Sequence, residues 1–114
     1  MKVREILKAV EGELKCGDAL LDLEISYGFS SDLMSDVLTT TSDNLSLITG
    51  LANAQVIRTA EMSDISLIVF VRGKKVSEDM ITLAKDNDIA LIQTPLSMFK
   101  TSGILYAAGL KPLF

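Results

Sequence analysis

The residue types that carry most protein chemistry are scarce in this chain. It contains no histidine and one cysteine, Cys16. Without imidazole there is no Ser-His-Asp or Cys-His catalysis, no His-ligated zinc and no imidazole proton relay. A single thiolate cannot build a Cys-rich zinc or iron–sulfur site within one chain. Carboxylates remain: Asp32 and Asp36 stand at i,i+4 spacing on an expected helix, a pattern that serves a hard cation or, more simply, the positive end of the helix. The seven glycines never form Gly-x-Gly-x-x-Gly or a phosphate loop, and Gly73-Lys74-Lys75 lacks the upstream glycine and the following hydroxyl that a phosphate loop requires. Ser30, Ser31 and Ser35 have no neighbouring base or strained elbow to activate them, and capping is their simpler reading. No catalytic residue, cofactor or metal site is assigned, and the expectation is a chain that binds rather than transforms.

Charge narrows what it would bind. The formal net charge of −4 argues against a phosphate-backbone binder, which needs clustered Lys and Arg. Between Lys15 and Arg58 there is no basic residue, whereas Asp18, Asp22, Glu24, Asp32, Asp36 and Asp43 all fall there. Arg72, Lys74 and Lys75 form the one local positive cluster, the place where a small anion would be received or, in the plainer reading, a solvated loop.

The elements that must position these groups follow from periodicity. Val3, Ile6, Leu7 and Val10 at helical spacing predict a short amphipathic helix ending near Gly12. From Glu13 to Glu24 the pattern suits a strand, a turn and a second extended segment. Ser30-Ser31-Asp32 is expected to cap a helix carrying Leu33, Met34, Val37 and Leu38, terminated by the run from Thr39 through Thr41 to Asp43. Asn44 to Thr49 reads as a strand turning at Gly50, and Asn53 as the cap of a helix to about Met62. Ile65 to Val71 is a β-branched run without alternation, the mark of a strand buried on both faces, with Arg72-Gly73-Lys74 as its exit. Ser77 caps a helix through Asn87, and Ile89 to Gln93 is another strand. Thr94-Pro95 is expected to open a last helix that stops at Gly109. Strand alternating with helix predicts an α/β fold: three layers, a mainly parallel sheet covered by helices.

At 114 residues, with no dividing linker, the expectation is one domain spanning 1–114. The charge-interrupted first residues do not resemble a signal peptide, and the apolar runs are far shorter than the ~20 residues of a membrane span. A cytoplasmic protein with no membrane and no nucleic-acid partner is expected. The mean hydropathy of +0.36 and 48% hydrophobic content exceed what one small core absorbs, which favours a homodimer. Met98, Phe99, Leu105 and Tyr106 on the last helix are its candidate interface, the alternative being an ordinary core helix.

Ligands of open parallel sheets gather beyond the carboxyl ends of the strands. The candidate ligand-binding residues are therefore Thr49, Gly50, Asn53, Arg72, Gly73, Lys74 and Thr94. Thr49 and Gly50 would offer a hydroxyl and a backbone N–H, Asn53 the start of a helix, Arg72 bidentate recognition and Lys74 longer-range charge. Each also has a structural reading: a turn at Gly50, a cap at Asn53, a surface ion pair at Arg72.

The segments Ile48-Thr49-Gly50-Leu51-Ala52-Asn53-Ala54-Gln55-Val56-Ile57-Arg58-Thr59-Ala60 and Ile68-Val69-Phe70-Val71-Arg72-Gly73-Lys74-Lys75 resemble the DRTGG domain family. Ser30 to Leu38 and Ile92 to Phe99 extend the resemblance, although the string that names the family is absent. The resemblance implies a fold similar to the N-terminal domain of HPr kinase/phosphorylase, without the kinase domain. It implies a noncatalytic regulatory or structural module that assists dimerisation; joined to the rim residues, this gives the leading expectation of a dimeric, ligand-sensing module that recognises a small anionic, nucleotide- or phosphate-like ligand or a protein partner. The alternative it implies is a structural dimerisation or scaffold subunit associated with iron-only hydrogenase systems.

Overall fold

The computed structural model of the protein describes residues 1–40 and 42–114; Thr41, within the expected helix terminator, lies outside them. In chain order the elements are α1 (Val3–Ala9), β1 (Glu13–Cys16), β2 (Tyr27–Ser30), α2 (Met34–Val37), β3 (Leu45–Thr49), α3 (Ala54–Met62), β4 (Leu67–Phe70), α4 (Glu78–Asp86), β5 (Ala90–Gln93), α5 (Met98–Ala107) and β6 (Lys111–Pro112). A single 3-10 turn at Asp18–Leu20 follows β1.

The sheet order is β1-β5-β4-β3-β2-β6, with β1 antiparallel to β5 and every other pair parallel. From β2 to β5 each strand is added beside its predecessor in the same direction. Crossovers of one hand then lay α2, α3 and α4 on one face, and the return from β5 to the far edge puts α5 on the other, beside α1. Side-chain alternation divides the core accordingly. Leu45, Leu47, Ile68, Phe70 and Leu91 pack with Met34, Val37, Val56, Ile57, Ala60, Met80 and Ala84. Ile48, Leu67, Val69, Val71, Ala90 and Ile92 pack with Val3, Ile6, Val10 and Leu105. The three-layer α/β expectation holds, and β3 and β4 are buried along their whole length.

The helices stop by one device. At the ends of α1, α3, α4 and α5 the N–H of Gly12, Ile65, Ile89 and Leu110 reaches back five residues to Leu7, Ala60, Ala84 and Leu105 carbonyls. The residue before each, Glu11, Asp64, Asp88 or Gly109, has φ of 54°, 54°, 54° and 106°. This is the Schellman ending, and the apolar residue after it launches the next strand directly into the core for α3 and α4, while after α5 Leu110 is buried and β6 runs along the exposed sheet edge.

Several expected boundaries move. Tyr27–Ser30 is a strand, and the helix behind it shrinks to Met34–Val37, leaving Leu33 and Leu38 exposed. Asp32 lies before that helix, not on it. Past Cys16 the second extended segment reduces to one bridge between Lys2 and Glu24. Met62 faces solvent. The last helix is capped by Ser97, whose hydroxyl accepts from Lys100 N at 3.1 Å, three residues later than expected. Thr94 cannot cap it because its hydroxyl donates into the core, to Val10 O at 2.6 Å.

Candidate functional site

Four parallel strands, β2 to β5, end on one rim, which carries Ser31-Asp32, Thr49-Gly50, Arg72-Gly73 and Gln93-Thr94. Arg72 and Gly73 occupy the two central positions of a tight turn closed by Lys74 N donating to Val71 O at 3.3 Å. Their φ values of 60° and 66° make it a turn of the I′ kind, unusual for arginine at its first central position. A non-glycine residue held there stores of order 1 kcal/mol or more, so its surroundings must enforce it. They do: Arg72 N donates to Leu96 O at 2.7 Å, and Gly73 N to Thr94 O at 2.9 Å. Gln93 Oε1 accepts from Val76 N at 3.0 Å, tying the far side of the same loop to β5.

The turn lays the Arg72 guanidinium over Gly50. A Cβ on Gly50 would stand 2.7 Å from an Arg72 terminal nitrogen and 3.3 Å from Cζ and Nε, so the absence of a side chain there is what admits the guanidinium. Among the described residues Arg72 forms no salt bridge.

Beneath it, the donors of the β3 exit converge on one carboxylate oxygen. Thr49 Oγ1 donates to Asp32 Oδ1 at 2.9 Å, and Gly50 N donates to the same atom at 2.7 Å. Leu51 N donates to Thr49 Oγ1 at 3.2 Å. Thr49 is fully buried, so its hydroxyl is a relay inside the loop and not an open donor. Asn53 Oδ1 accepts from Val56 N at 3.1 Å, the cap expected of it. Thr94 is also fully buried, its hydroxyl donating to Val10 O and accepting from Leu96 N, which makes it a support for the Arg72 turn. Gly73, Lys74 and Lys75 are exposed on the turn.

The rim thus gathers Thr49, Gly50, Arg72, Gly73 and Thr94, and beside it Arg72, Lys74 and Lys75 are exposed cations that form no salt bridge among the described residues. Asp32, considered from sequence as a helix-dipole or metal carboxylate, is the residue missed: it reaches across a parallel strand pair to a loop 18 positions away, a separation no local pattern reports.

On the other face, Ser30, Ser102, Leu105, Tyr106 and Leu110 line an open, mostly apolar pocket of about 170 Å³, in which the Ser30 and Ser102 hydroxyls bond each other at 2.7 Å. Of the candidate interface residues, Leu105 is 1% exposed and belongs to the core, while Phe99 and Tyr106 are 91% and 68% exposed. Met98 is half-buried.

Comparison with known proteins places this geometry. The model of the DRTGG domain matches residues 5–108. The chain belongs to the DRTGG domain family. Among solved structures, the DRTGG chain is similar to the CBS and DRTGG domains of the regulatory region of Clostridium perfringens pyrophosphatase, complexed with its activator diadenosine tetraphosphate. The TM-score is 0.78 at 21% identity, over 91% of the DRTGG chain and 45% of that chain, so the fold is shared and the present chain spans less than half the length of its neighbour. No curated protein matches the sequence. Among the described residues no helix is long and apolar enough to cross a membrane.

Proposed function

We propose that this DRTGG chain, as one domain over 1–114, is a noncatalytic regulatory module that senses a small phosphate-bearing anion at its strand-exit rim. The observation that carries the reading is the Arg72 guanidinium, held over Gly50 by a strained turn and without a salt-bridge partner among the described residues. A planar cation with open donors beside a backbone cleared of side chains suits bidentate contact with a phosphate. Lys74 and Lys75 add positive potential on the same turn. The neighbour's regulatory region is complexed with a nucleotide activator, which makes diadenosine tetraphosphate and inorganic pyrophosphate the first probes.

Thermal denaturation with these compounds tests it. A bound anion raises the melting temperature of the wild type by mass action, and Arg72→Ala removes the rise. An equal rise in both forms, or none in either, overturns the reading.

A second reading, a dimerising scaffold, is favoured by the exposure of Phe99 and Tyr106 one above the other on α5. The two are compatible: a cytoplasmic homodimer joined through α5 would leave the rim free.

A further inference from the structure

The β3 exit already holds an anion, and it belongs to the chain. Asp32 Oδ1 receives the Thr49 hydroxyl and the Gly50 N–H together, in the loop over which Arg72 lies. Asp32 itself is exposed, on a short connection between the Ser31 N to Ile48 O bond on one side and α2, seated in the core by Met34 and Val37, on the other. We infer that Asp32 is a built-in competitor, a carboxylate that occupies the backbone donor of the rim until a phosphate-bearing ligand displaces it. This rests on the anion-sensing reading and adds its regulation.

Two consequences follow from the geometry. With Asp32 in place, an incoming anion meets a like charge and finds the Gly50 N–H occupied, so Arg72 alone cannot give tight binding. When the ligand takes the Gly50 N–H, the Asp32 side chain loses its hold on Thr49 and Gly50 and the Asp32-Leu33 connection is freed to move, while Ser31 N stays on Ile48 O and Met34 and Val37 keep α2 in the core. Ligand occupancy at the rim is thereby converted into movement of the β2–α2 connection, a signal that a partner can read.

Titration calorimetry with inorganic pyrophosphate on the intact chain separates the possibilities. Asp32→Asn keeps an oxygen that accepts from Thr49 and Gly50 but removes the charge, and it should bind pyrophosphate about tenfold more tightly than the wild type. Asp32→Ala, which frees both donors, should bind at least as tightly. Asp32→Asn decides the matter if the alanine variant does not fold. A carboxylate that only braces the loop predicts a lower melting temperature for Asp32→Ala with pyrophosphate affinity unchanged or weaker, and that result overturns the inference while leaving anion sensing in place. Absence of binding in the wild type and in both variants overturns anion sensing itself.

Discussion

Thr94 and Thr101 carry the same side chain into opposite circumstances. Both are fully buried, but the Thr94 hydroxyl bonds Val10 O and Leu96 N whereas the Thr101 hydroxyl has no partner among the described residues. A buried hydroxyl without a partner has given up its water for nothing, while one that satisfies a buried carbonyl cannot be removed without orphaning it. The same isosteric substitution therefore has opposite signs. Thr101→Val should raise stability by about 1 kcal/mol, and Thr94→Val should lower it by about 1–3 kcal/mol, as read from urea denaturation midpoints.

At the scale of elements, the shared helix ending has a residue-level cost that can be relieved. Glu11, Asp64 and Asp88 put an acidic side chain in the left-handed region at the negative end of a helix, where glycine is favoured on both counts. Glu11→Gly should stabilise the fold by roughly 0.5–1 kcal/mol, since glutamate tolerates that backbone least of the three. Gly109→Ala, the reverse change at φ of 106°, should destabilise by about 1 kcal/mol or more. Thermal or chemical denaturation of the two variants checks both signs. The elements themselves were legible where local chemistry agreed with tertiary context. The β-branched interior of β4, the caps Asn53 and Ser77 and the stop at Gly109 all act within four residues of what they control. The rest depended on distant partners. β2 is four residues with a glycine inside, and β6 is two residues ending in proline; both exist because β3 and the Ser26–Asn44 region supply their hydrogen bonds. Thr94 resembled a cap because its pull toward Val10, 84 positions away, leaves no trace in its neighbours. Arg72 and Gly50 could be placed on one rim from strand order alone, but the Asp32 carboxylate could not be placed on Thr49 and Gly50.

For the whole molecule, the surplus of apolar residues noted in the sequence resolves into exposed Phe99, Tyr106, Leu33, Leu38, Met62 and Phe114. Phe114 is tied to Phe29 edge-on at 5.8 Å, but Phe99 and Tyr106 stand on α5, whose residues include a single charge, Lys100. In the proposed dimer this surface is covered. Light scattering should give a dimer mass for the wild type and a monomer mass for Phe99→Asp, with the circular dichroism unchanged because Phe99 contributes nothing to the core. A monomeric wild type would remove α5 as an interface. The rim at the carboxyl ends of the strands is a separate surface, and the central claim about the protein is made there. Amide resonances recorded during titration with inorganic pyrophosphate test it most directly. The account predicts saturable shifts concentrated at Asp32, Gly50, Leu51, Arg72 and Gly73; shifts centred instead on Ser102, Tyr106 and Leu110, or none up to millimolar ligand, would contradict it.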